Sequence, residues 1–219
     1  MGLGIFGSSS PRTAPLDPAR TDIDNDCYDA FGDRWWDEAG PLGGLHELTP
    51  VRVRYFDEAF RATLGPDAPG AKRFIDVGCG GGILTEAMAR LGYRDLTGFD
   101  VSAPSLEAAR RHAATHAVRV TYRSGSAYEL DVETASVDGI ILSDVLEHLH
   151  DLPRAARELA RVLRPGGVLV FDTMNRTIRS YLLMIFAAER VLRVVPERTH
   201  DWSMFITPDE MRDVLTCEG

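Results

Sequence analysis

The chain reads as an α/β fold, a mostly parallel sheet with helices packed on both faces, and three features carry that reading. Short apolar runs alternate with stretches of helical periodicity, the pattern of strand–helix–strand units. The runs are apolar at successive positions, as strands covered on both faces must be. The first run ends in Gly78-Cys79-Gly80-Gly81-Gly82, a glycine cluster that turns a strand tightly into a helix.

The elements follow in order. Residues 21–64 are acidic and aromatic, with Tyr28, Phe31, Trp35 and Trp36 near helical spacing and Pro50 opening 51–64, so they read as an N-terminal helical cap. Pro66 and Pro69 mark a loop over 65–70. A strand at 73–77 leads through the glycines to a helix over 83–91, with Thr85, Glu86 and Arg90 read as outward. A strand at 96–99 ends at Asp100, and an alanine-rich helix over 102–116 can be capped by Ser102. Strands follow at 118–122, 139–142 and 168–171, the last two separated by a helix over 153–163 with Pro153 early and basic residues late.

With 219 residues, 44% hydrophobic and 26% charged, the chain suits one globular domain. A net charge of -9 argues against nucleic acid, whose partners carry a basic footprint. Cys27, Cys79 and Cys217 are too scattered for a metal knuckle and suggest a reducing compartment. Residues 1–20 lack a secretory apolar run and read as a disordered, cytoplasmic start; Arg12 and Arg20 leave an organelle-targeting segment as the alternative. Residues 21–219 then form the single domain.

Open parallel sheets bind ligands beyond the carboxyl ends of their strands, which is where the glycine cluster lies. Gly78 and Gly80 would let a ligand lie against bare backbone. A dinucleotide fingerprint needs a third glycine where Ile83 stands, so GxGxG fits and the NAD pattern fails. Asp100, ending the second strand, is placed either to accept the hydroxyls of a ribose or to cap the following helix in competition with Ser102. Ser126, after the third strand, sits either at an adenine edge or in a plain turn.

The segments FIDVGCGGGILTEAMARLGY, TGFDVS and LSDVLEHLHDLPRAARELARVLRPGGVLVFDTMNR resemble class I S-adenosylmethionine-dependent methyltransferases, whose sheet is Rossmann-like. YDAFGDRWWDEAGPLGGLHELTPVRVRYF and VPERTHDWSMFITPDEM are similar to the ubiquinone-biosynthesis O-methyltransferases, which methylate polyprenylated catechols and demethylubiquinol. The resemblance implies S-adenosyl-L-methionine as methyl donor and a phenolic acceptor. It also implies Arg52 on the methionine carboxylate, Gly78 on the cofactor, Asp100 on the ribose and Ser143 on the adenosine side. The alternatives are another small phenolic or natural-product acceptor, or a truncated, non-catalytic cofactor-binding protein.

Asp144, Glu147 and His148 follow the fourth strand; if that turn is helical they share one face, and three hard ligands converge. The resembling family has Glu, Glu and His there for a divalent cation such as Mg, and Asp144 is one methylene shorter. A cation would polarise the phenolic oxygen. His200, in Thr199-His200-Asp201, is the candidate catalytic base, its ring orientable by the following carboxylate, with His150 and His46 as weaker candidates.

Residues 178–196 are apolar but interrupted by Arg179, Glu189, Arg190 and Arg193, a poor membrane span and a fair interfacial helix. Within an insertion over 178–206 they read as a peripheral membrane contact, as a substrate-covering lid or as an oligomer contact. The helix expected over 208–215 precedes, in the resembling family, a closing antiparallel strand pair. Since the chain stops at Gly219, that C-terminal pair is expected to be missing.

Overall fold

The computed structural model describes residues 11–21, 25–182 and 201–217. Its strands are β1 (Arg73–Val77), β2 (Asp95–Asp100), β3 (Thr121–Ser124), β4 (Val137–Ser143) and β5 (Leu163–Asp172). They form one parallel sheet in the order β3-β2-β1-β4-β5. The chain runs outward from β1 to β3 and then crosses back to β4, so the order reverses between β1 and β4. That switch point is where open sheets of this kind hold ligands.

The two-residue period of a strand divides the core cleanly. Ile75, Val77, Ile140 and Leu142 face one side, packing with Leu152, Ala155, Leu159, Met211 and Val214. Phe74 and Ile141 face the other, with Phe56, Phe60, Met88 and Tyr93. The helices are α1 (Gly43–Leu64), α2 (Ala68–Ala71), α3 (Ile83–Arg90), α4 (Ala103–Thr115), α5 (Leu152–Val162), α6 (Ile178–Ser180) and α7 (Pro208–Cys217), and α1, α3, α5 and α7 supply the helical side chains just named. Their ends follow local chemistry. Ser102 caps α4 by accepting from the Ser105 amide, and Asp151 caps α5 by accepting from Arg154. Thr207 and Glu210 bond reciprocally at the start of α7, a capping box.

Several local readings give way to tertiary contacts. The cap is two 3-10 turns, Asn25–Ala30 and Gly32–Trp36, followed by a helix that starts at Gly43 and carries Pro50 inside it. Thr85 and Glu86, read as outward, are buried. Thr85 donates to Asp76 at 2.6 Å and Glu86 faces His112 Nδ1 at 2.9 Å, so neither is left unpaired. The third strand begins three positions later than expected, at Thr121. In the N-terminal arm, the Arg12 side chain is fully buried and donates to the Leu146, Leu149 and Met204 carbonyls.

Candidate functional site

The site begins at the loop after β1. Gly78 and Gly80 take φ of 78° and 52°, left-handed values that favour glycine. The loop is tied to β2: the Gly78 and Cys79 amides both donate to the Phe99 carbonyl, at 2.7 and 3.0 Å. The Gly80 amide donates to Asp100 Oδ2 at 2.7 Å, and the Ser102 amide to Asp100 Oδ1 at 2.8 Å. Asp100 is therefore fixed by backbone donors, Gly80, Ser102 and Val101, while a carboxylate's four acceptor positions leave room for an incoming hydroxyl. Burial raises its pKa, and the backbone hydrogen bonds pull it back only in part.

Across the switch point, the ends of β4 and β5 bring Ser143 and Asp172 into register. The Arg52 guanidinium reaches them from α1. Its Nε donates to Asp172 Oδ2 at 2.7 Å and its Nη2 to Asp144. Burial works against the Arg52 charge, but the two carboxylates outweigh it and its pKa is raised. Glu147 is buried; its Oε2 accepts from Thr173 Oγ1 at 2.7 Å. Burial first, and the Asp144 charge second, push the Glu147 carboxyl up to about 8. Asp76, beneath the glycine loop, is pushed up to about 7 by burial against the pull of its Thr85 hydrogen bond. Ser143 Oγ and Glu147 Oε1 are buried with no hydrogen-bond partner among the described residues, which suits a ligand that brings polar groups of its own.

Asp144, Glu147 and His148 do not converge. Leu146–His148 is a single 3-10 turn, and Asp144 has a left-handed φ of 52°, so the shared helical face does not form. Asp144 turns to Arg52 and Glu147 inward to Thr173, while His148 Nδ1 pairs with Asn25 Oδ1 at 2.9 Å. Among the described residues no three acidic, histidine or cysteine side chains form a cation-holding group. In this arrangement the three do not fit a shared divalent cation.

Ser126 lies in a tight turn, exchanging backbone hydrogen bonds with Glu129, and its hydroxyl accepts from the Tyr128 amide at 3.2 Å. His200 and residues 183–196 of the apolar segment lie outside the described residues. His46 bonds the Trp35 carbonyl at 2.8 Å, and His150 bonds Thr21 Oγ1 at 2.9 Å, so both serve the scaffold.

Three parts of the site were not apparent in the sequence. Asp172 ends β5 as Asp100 ends β2, and strand-end position was the signal that could have found it. Tyr28 stacks on Trp35 with centroids 5.9 Å apart and meets His148 edge-on. Its phenol pKa is raised, by burial first and then by Cys27, Glu147, Asp144 and Asp100. Trp36 fixes this cap to the glycine loop by donating from its indole to the Gly81 carbonyl at 3.0 Å. No local pattern announces either contact.

Comparison with known proteins bears on this geometry. A family model described as a methyltransferase domain matches residues 75–171. The ubiquinone biosynthesis O-methyltransferase of Alkalilimnicola ehrlichii is 40% identical over 185 residues, 84% of this chain and 72% of that protein. The protein of the same name from a Methylobacterium species is 37% identical over 212 residues, 94% of this chain and 85% of its own length. Among solved structures, the YcgJ protein of Bacillus subtilis has a TM-score of 0.61 at 20% identity, covering 79% of this chain and 68% of that one, a likeness of fold.

Proposed function

Because the chain belongs to the ubiquinone biosynthesis O-methyltransferases, we propose that it moves the methyl group of S-adenosylmethionine to a phenolic oxygen of a polyprenylated ubiquinone precursor. The observation that best supports this reading is the Gly80–Asp100 hydrogen bond across β1 and β2, which holds glycine loop and carboxylate together at the switch point. There Asp100 would accept the ribose hydroxyls and the Gly78–Gly80 backbone would lie along the nucleoside. Ser143 Oγ, buried and unpartnered among the described residues, would take an adenosine-side polar group. Arg52, the cation facing the ends of β4 and β5, would receive the methionine carboxylate.

When bound, the donor supplies an electrophilic methyl on a sulfonium sulfur. The chain must hold the acceptor oxygen in line with it and take the phenolic proton, since a phenol of pKa about 10 is mostly neutral at pH 7. His200 is the proposed proton acceptor. The stacked Tyr28–Trp35 pair, with Trp35 lying on the glycine loop, would help to keep water from the reacting groups.

An acceptor with a polyprenyl tail must be drawn from a bilayer, and residues 178–196 are the proposed point of contact. Ile178 and Leu182, at the described start of that segment, are 60% and 50% exposed, which supports an apolar surface there. The four charges Arg179, Glu189, Arg190 and Arg193 make this segment a poor span, so the contact proposed is peripheral; among the described residues no helix is long and apolar enough to cross a membrane. Labelled-methyl transfer to demethylubiquinols of increasing tail length tests the assignment. Label is expected on the phenolic oxygen, with turnover rising as the tail lengthens. Label on nitrogen or carbon acceptors only would overturn it, and equal turnover for a tail-less catechol would remove the polyprenyl part.

A further inference from the structure

We infer that Asp144 is a built-in competitor for Arg52: it holds the guanidinium until the carboxylate of the incoming cofactor displaces it. The inference rests on the reading in which Arg52 receives that carboxylate. Two acids already share this one cation. Asp172 takes Nε and Asp144 takes Nη2, in a site where the Arg52 side chain is only 13% exposed. Negative charge is in excess here before any ligand arrives, and a further carboxylate on Arg52 would meet repulsion from both aspartates. Release of one of them is the way to lower it.

Backbone geometry decides which. Asp172 closes β5, its backbone held in register with Ser143, so the sheet fixes its place. Asp144 is the first residue beyond β4 and stands at φ 52°, a left-handed conformation that aspartate tolerates better than most non-glycine residues, so it sits in a turn outside the ladder that fixes Asp172. Letting go removes one carboxylate from beside the incoming one, while Asp172 keeps the guanidinium aimed into the site. Asp144 thus tunes how strongly the site prefers ligands that carry an amino-acid carboxylate over the bare nucleoside.

Calorimetry on the full chain tests this with two probes, S-adenosylhomocysteine and 5′-methylthioadenosine, which share the nucleoside and thioether but differ in the carboxylate. Asp144→Asn should bind S-adenosylhomocysteine roughly 5-fold more tightly, as expected for losing one partly exposed ionic competitor, and leave methylthioadenosine unchanged. Unchanged or weaker S-adenosylhomocysteine binding, or equal gains for both probes, would overturn the inference. If Asp144→Asn folds poorly, Asp144→Gly suits the left-handed backbone and carries the same expectation. Arg52→Ala separates this from the reading beneath it. It should abolish the preference for S-adenosylhomocysteine, and a preference left intact would mean that Arg52 is not the carboxylate's receptor at all.

Discussion

The indole of Trp35 lies on the bare backbone of Gly81: a β-carbon built on that glycine would stand 2.3 Å from Trp35 Cγ. Contact that close leaves no room for a methyl group. The same indole donates to Ser105 Oγ at 3.0 Å, so it cannot slide away without losing a buried hydrogen bond. Gly81→Ala should therefore destabilise the fold by about 1–3 kcal/mol, the usual cost of overpacking a filled core. Urea denaturation reads this directly, and an unshifted midpoint would show that the cap is not seated on the loop.

Asp100 should matter to ligand binding more than to folding. Asp100→Ala removes an acceptor from the ribose site and should weaken S-adenosylhomocysteine by roughly 1.5–3 kcal/mol, the range for hydrogen bonds to a charged group. It also frees the Gly80 amide that the carboxylate now holds. Calorimetric titration of the variant checks the claim, and wild-type affinity would remove Asp100 from the site.

Glu147 gives a signature in pH. Its folded pKa of about 8 stands above the ordinary 4.5, so between those values the folded chain keeps a proton that the unfolded chain has lost. Its contribution to stability is fully present below pH about 4.5 and is lost as pH rises through about 8. Glu147→Gln cannot titrate, so the variant's stability should fall less between pH 5 and 8 than the wild type's. Parallel curves over that range would mean that the carboxyl ionises normally.

Arg12 reaches far from its place in sequence. Its guanidinium, drawn down to about 10 by burial, remains protonated at neutral pH while it holds the Leu146, Leu149 and Met204 carbonyls. Arg12→Ala would leave these acceptors without their donor and should cost at least about 2 kcal/mol. A denaturation midpoint within error of wild type would show that the arm is dispensable.

Much of this molecule was legible locally. The apolar runs gave the strands within a few positions, because burial on both faces of a parallel sheet demands continuous hydrophobic sequence. The placement of the glycine loop and Asp100 at strand ends was legible for a similar reason, since each directly follows or closes an apolar run. The family resemblance in the cap, including Trp35-Trp36, pointed to the acceptor class that comparison with the relatives supports.

The acidic end of β4 was not legible in the same way. Asp144, Glu147 and His148 are spaced as one helical face, and a single left-handed residue turns them toward Arg52, Thr173 and Asn25 instead. Thr85 and Glu86 look solvent-facing by type, yet distant partners in β1 and α4 make their burial affordable. Local patterns record backbone period and apolar content, which neighbouring residues settle among themselves. The partner of a buried charge is chosen by chain segments scores of residues apart, and only the folded arrangement brings Arg52 between Asp144 and Asp172.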